Sequence, residues 1–222
     1  MLERLLGLVP ASLHGRSGSV LYSGRRAFGE PSRVYLLGLN PGGSSEHQAN
    51  QTIGRHMEEA LHRLEPDWSE YRDGVWEGRP PGTHGMQPQV LHMLRGLGLA
   101  PGRVPASNVV FVRSRAEADL RDEKPSLLRA CWPMHQAVIE GLAVRLVLCF
   151  GGTAGDWVRR ETGATAFVGE FVERNKRGWA SRAHRNAAGL HVVTVTHPGR
   201  TVWTNPDADP TPFVAALLDE LP

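Results

Sequence analysis

The sequence predicts an α/β protein: a three-layer α/β/α sandwich around a central, mainly parallel four-stranded sheet, in one domain spanning residues 1–222. Three observations lead there. Four short runs, Val34–Leu39, Asn108–Val112, Leu146–Phe150 and Val192–Thr196, are nearly continuously apolar, as strands buried on both faces are. Helical patterns separate them, and strand alternating with helix marks a parallel sheet covered on both sides. The 222 residues are 41% apolar and 22% charged, which excludes wholesale disorder. A core of this size needs neither disulfide nor metal.

The elements follow in chain order. Leu2, Leu5, Leu6 and Val9 share one face of an N-terminal helix. The apolar stretch there is short, follows Glu3 and Arg4 and lacks a small-x-small cleavage site, so it does not read as a signal peptide. No run approaches the ~18–20 apolar residues of a membrane span. Two Cys fit a reducing compartment, and we expect a cytoplasmic protein. After the first strand, Ser44–Thr83 is an irregular insertion rich in Gly, Pro, Trp and charge, with a helical Met57–Leu64 and a Gly78–Gly82 loop. Gln89–Leu97 puts Val90, Leu91, Leu94 and Leu97 on one face and stops at Gly98. Ser126–Leu142 places Leu127, Leu128, Cys131, Met134, Val138 and Leu142 at helical spacing. Thr153–Thr162 follows the third strand directly, Glu170–Asn186 is a polar insertion with a dense basic run, and the helical Pro212–Leu221 closes the chain. No internal repeat is present.

Open α/β sheets bind ligands at the carboxyl ends of their strands. Those ends read Asn40-Pro41-Gly42-Gly43-Ser44-Ser45, Arg113-Ser114, Gly151-Gly152-Thr153-Ala154-Gly155 and His197-Pro198-Gly199-Arg200. Gly38–Gly43 has the spacing of a phosphate loop but lacks its lysine; the only Lys are Lys124 and Lys176. That argues against a nucleoside triphosphatase. Gly151–Gly155 resembles a nucleophile elbow with Thr for Ser, and His197 would be its base. The favoured reading is a glycine turn into a helix, with Thr153 as cap. The ten His include no H-E-x-x-H or H-x3-H pair, so no metal site is expected. That leaves Asn40 and His197, polar groups flanked by Pro and Gly at two strand ends. Each alone also fits an ordinary turn or strand-end residue.

Together the strand ends carry a resemblance. Gly38-Leu39-Asn40-Pro41-Gly42 resembles the first motif of the uracil-DNA glycosylase superfamily, in the GxNPG form of its mismatch-specific and single-strand-selective branches. Thr196-His197-Pro198-Gly199-Arg200 resembles the last motif, which usually begins His-Pro-Ser. Ser107–Arg113 is similar to the second-strand segment, and Pro125–Ala154 to the corresponding region of the iron–sulfur branch. The order and spacing cover Val34 to Trp203. Gly199 departs from the usual Ser. That branch needs four Cys, and only Cys131 and Cys149 occur, so no cluster and no cofactor are expected. Ser44–Thr83 matches no branch.

The resemblance implies a monofunctional glycosylase that flips uracil, or another deaminated base, out of DNA and hydrolyses its N-glycosidic bond. His197 would donate to uracil O2 as negative charge leaves with the base, and Asn40 would position the attacking water. Asn108 would read uracil O4 and N3–H, in a pocket formed with Gly38, Leu39, Pro41 and Gly42. Trp76 and Tyr71 lie in the interval where a stacking aromatic belongs. Arg200, Thr201, Val202 and Trp203 are placed for a wedge that fills the vacated stack. Pro198, Gly199, Arg200, Lys176 and Arg177 would face DNA, with Arg174, Arg182 and Arg185 near the phosphates. We expect a monomer. Two alternatives stand beside this reading: a catalytically silent DNA-binding protein of the same fold, and a Thr153/His197 hydrolase.

The net charge of +2 does not announce a DNA partner. Its distribution is uneven. Glu170–Arg200 holds six Lys+Arg against two acids, and the remainder of the chain is net −2. The basic excess ends at the His197 loop.

Overall fold

A computed structural model describes residues 1–221. Four adjacent parallel strands run from one edge of the sheet: β1 (Val34–Gly38), β2 (Ala106–Asn108), β3 (Leu146–Phe150) and β6 (His191–Val195). The expected count of four is corrected to six, because β4 (Ala166–Val172) and β5 (Ala180–Arg185) add an antiparallel hairpin to β6. The strand order is β2-β1-β3-β6-β5-β4. The hairpin falls across the segment read as a polar insertion. It is an edge element: β4 is mostly exposed, so it needs no apolar run to mark it.

The strands alternate between two cores. Tyr35, Leu37, Val147, Cys149 and Val192 face one cluster, and Val34, Leu36, Leu148, Phe150, Val193 and Val195 face the other. The first is covered by α1 (Leu2–Leu6), α2 (Ile53–His62), α5 (Lys124–Gly141) and α6 (Gly152–Thr162). The second is covered by α3 (Glu70–Asp73), α4 (Gln87–Gly96) and α7 (Thr211–Asp219). Both faces are buried, hence the unbroken apolar runs. Leu2, Leu5, Leu6 and Val9 are all buried, as their spacing requires. Among the described residues, no helix is long and apolar enough to cross a membrane.

The second strand is displaced from its expected place. Val109, Val110, Phe111 and Val112 are buried together in one helix-side core. Their apolar run therefore marks a chain leaving the sheet under cover. Val109 N–H and Val110 N–H donate to the carbonyls of Gly38 and Leu39 (2.9 and 2.8 Å). Asn108 thus closes β2 instead of opening a strand, in register with Gly38.

Candidate functional site

The turn after β1 is latched to the chain leaving β2. Besides the two bonds just described, Ser114 N–H donates to Pro41 O (3.1 Å), and Arg113 Nη1 donates to the carbonyl of exposed Gly42 (2.6 Å). Within this turn Asn40 is fixed by its amide nitrogen, which donates to Ser114 Oγ (2.9 Å) and Pro41 O (2.9 Å). Among the described residues nothing donates to Asn40 Oδ1, and the residue is half-buried.

Asn108 is 5% exposed, and its amide nitrogen is buried with no hydrogen-bond partner. Its carboxamide lies directly against Gly38, where a Cβ would collide with Oδ1. The first glycine of the motif is therefore a seat for Asn108. A buried, unpaired amide costs about 1–3 kcal/mol.

An aromatic residue beside Asn108 is Tyr22, a residue outside the interval expected to supply the stacking ring. Its hydroxyl faces Asn108 and Ser19, burial raises its pKa, and Glu70 adds to that rise. Tyr71 is fully buried behind it, ring centroids 5.7 Å apart. Trp76 is half-buried and donates to Glu70 Oε1 (2.5 Å). Glu70 is brought by the Ser44–Thr83 insertion, and burial raises its carboxyl pKa.

His197 follows β6. Its Nδ1 accepts from Gly199 N–H (3.0 Å), which leaves the proton on Nε2 of the neutral ring. Burial lowers the His197 pKa, and the charge of Arg200 lowers it further. A Cβ at position 199 would stand 3.2 Å from the ring, so Gly in place of Ser lets the imidazole lie close over the backbone. The ring also packs beside Gly151, whose φ is +95°. Pro198 is buried, while Gly199 and Arg200 are exposed.

The loop after His197 is clamped from the hairpin side. Arg177 donates to Arg200 O (2.5 Å) and Thr201 Oγ1 (3.0 Å), pairs with Glu173 at 3.0 Å and lies over the Trp179 ring. Glu173 is 3% exposed and also accepts from Thr201 Oγ1 and Asn175 Nδ2. Arg177 is thus engaged inside the protein. Arg182 pairs with Glu170 and Arg174 with Asp207. Lys176, Arg185 and Arg200 have no carboxylate within 4 Å among the described residues. Of the wedge candidates, Val202 is 55% exposed at the loop tip. Trp203 is a core residue against Phe150, and Thr201 is buried.

Two clefts lie beside the loops around these groups, and neither is lined by Asn40, Asn108 or His197. One, of about 480 Å³, is lined by Gln89, Pro198, Gly199, Arg200 and Val202. The other, of about 490 Å³, is lined by Ser45, Arg113, Ser114 and Arg115 on the Asn40 side.

Gly151–Gly155 starts α6, with Gly151 and not Thr153 at the cap position. A Cβ at Gly155 would collide with the Thr194 side chain, so that glycine serves helix–strand packing. Thr153 Oγ1 donates to Glu117 (2.9 Å); no hydrogen bond joins it to His197. Cys131 and Cys149 are buried free thiols, the Cys131 thiol pushed by burial to about 11. Among the described residues, no three His, Cys, Asp or Glu gather as a metal site.

The class defined by fold and site is an α/β protein with polar groups at the carboxyl ends of parallel strands. No family model matches the chain, and no curated protein matches it.

Proposed function

We propose that this chain is a monofunctional DNA glycosylase that flips uracil, or another deaminated base, from DNA and hydrolyses its N-glycosidic bond. The observation that carries the proposal is that three polar side chains at the carboxyl ends of β1, β2 and β6 each have one bonding atom without a protein partner. These are Asn40 Oδ1, Asn108 Nδ2 and His197 Nε2. They are an acceptor, a neutral amide donor and a neutral imidazole donor.

The chemistry uses each once. As the C1′–N bond breaks, its electron pair leaves with the base and delocalises onto uracil O2. The Nε2–H of His197 donates to that oxygen, and a preorganised donor of this kind is worth about 3–4 kcal/mol. Asn40 Oδ1 accepts from the water that adds to C1′. An amide is a weak base, but an oxocarbenium-like sugar needs little nucleophile activation. Asn108 Nδ2 donates to uracil O4 above the Gly38–Gly42 turn, and Tyr22 stacks on the base. Val202 enters the vacated stack, while Lys176 and Arg200 face phosphates. Arg177 acts by holding the loop that bears His197. We propose a cytoplasmic monomer that needs no cofactor.

A panel of oligonucleotides containing uracil, hypoxanthine, xanthine or a thymine mismatch tests the reading. Alkali-labile cleavage at uracil is the expected result. Salt-sensitive DNA binding without release of any base would replace the enzyme with a silent binding protein.

A further inference from the structure

We propose that Glu117 is the carboxylate that faces the deoxyribose as it becomes cationic; this rests on the glycosylase reading above. The placement follows from topology. Glu117 opens a 3-10 helix (Glu117–Glu123) after β2, yet it touches Thr153, which follows β3. In the strand order β2-β1-β3-β6, a residue that leaves β2 and reaches the end of β3 crosses the end of β1, where Asn40 stands. The hydrogen-bond chain agrees. Asn40 Nδ2 donates to Ser114 Oγ (2.9 Å), and Ser114 Oγ donates to Ala116 O (2.8 Å), the residue before Glu117. On the other side Thr153 is two residues from Gly151, against which the His197 ring packs. Glu117 therefore joins the segment that fixes Asn40 to the start of α6 beside His197.

The carboxylate is held there. Thr153 Oγ1 donates to its two oxygens (2.9 and 3.1 Å), and Lys124 Nζ pairs with Oε1 (2.7 Å). Asp119 Oδ2 accepts from Ala116 N–H (3.0 Å), which fixes the backbone before it. The side chain is still 43% exposed, open to a ligand. Partial burial raises its pKa, but the hydrogen bonds from Lys124 and Thr153, with the charges of Lys124 and Arg200, outweigh this and hold it below the ordinary carboxylate range.

The reaction has a place for such a charge. His197 and Asn108 serve the base, and Asn40 serves the water. None of them answers the positive charge that grows on C1′ and the ring oxygen as the bond electrons leave with the base. A fixed carboxylate in a partly dehydrated site stabilises that charge without bonding to carbon. The water oxygen then bonds to C1′ and its proton passes to solvent.

Single-turnover release of uracil by wild type, Glu117→Gln and Glu117→Asp tests this, with binding measured on an uncleavable uracil analogue. Gln keeps an acceptor for Thr153 and nearly the same volume while losing the charge. The expected result is a rate about 10- to 100-fold lower for E117Q, binding equal to or tighter than wild type, and an intermediate rate for E117D. The wild-type rate should fall as acid protonates the carboxylate, and E117Q should lack that limb. If wild type releases uracil and E117Q is within twofold of it with the same pH profile, the inference fails and the glycosylase reading stands. E117D no faster than E117Q also overturns it. If wild type releases no base, the glycosylase reading itself fails, and this inference with it.

Discussion

Asn40 and Asn108 stand where two parallel strands end, and the groups that fix them belong to β1, β2 or the chain leaving β2. His197 also follows a parallel strand, but the loop after it is fixed by the antiparallel hairpin. Arg177 and Glu173 reach across from between β4 and β5 to hold Arg200 and Thr201. The Asn40–Asn108 side of the site is part of the sheet's own hydrogen bonding. The His197 side depends on an added element and one buried carboxylate. Damage to the hairpin should therefore reach His197 and leave Asn40 and Asn108 in place.

The largest effect expected is loss of either open group. His197→Ala and Asn40→Ala should each slow base release about 10²- to 10³-fold while DNA binding survives; single-turnover rates with a parallel binding assay measure this. Near-normal rates in both would place the chemistry elsewhere. Next comes Arg177→Ala, which leaves Glu173 buried with fewer partners. A loss of about 2 kcal/mol in denaturant unfolding is expected, with a roughly tenfold slower release. An unchanged rate would break the contrast between the two sides. Gly38→Ala attacks the other side. Its methyl collides with Asn108, so stability should fall by about 1–3 kcal/mol and discrimination between uracil and cytosine should weaken.

The last effect falls on stability alone; it is pH-dependent and lies on the Asn108 side. His56 accepts from Val20 N–H, and His135 is bonded to Tyr35 and Val109 O. Burial pushes the pKa of each down to about 4. The unfolded chain then binds these protons before the folded one does. Stability is complete above about pH 6.5 and is lost as pH falls toward about 4, by about 1–2 kcal/mol per group at pH 5. Urea midpoints at pH 7 and pH 5 measure it. Hydrogen exchange should show Val109 and Val110 opening earlier in acid than the hairpin does.

Three of the four parallel strands, β1, β3 and β6, and the Asn40 and His197 turns are legible because both signals are local. Strands buried on two faces write apolar runs, and a Pro-Gly turn after a strand end is read within five residues. The β4–β5 hairpin was not, since an edge element buries too little to pattern its sequence. Asn108 was recognised, but its place at the end of β2 was not, because Val109–Val112 are apolar for a reason other than pairing. Trp203 looked like a wedge and is core: its neighbour Phe150 lies 53 positions earlier. Tyr22 and Glu117 carry no motif. Each acquires its position only when the chain folds, Tyr22 through the pairing of Leu21 with Ser107 and Glu117 through its reach from β2 to Thr153.

Release of the free base from a uracil-containing oligonucleotide, single- and double-stranded, tests the central claim most directly. The account predicts free uracil and an intact strand bearing an abasic site, with no metal or cofactor added. Both substrates remaining intact, with uracil still attached, would contradict it.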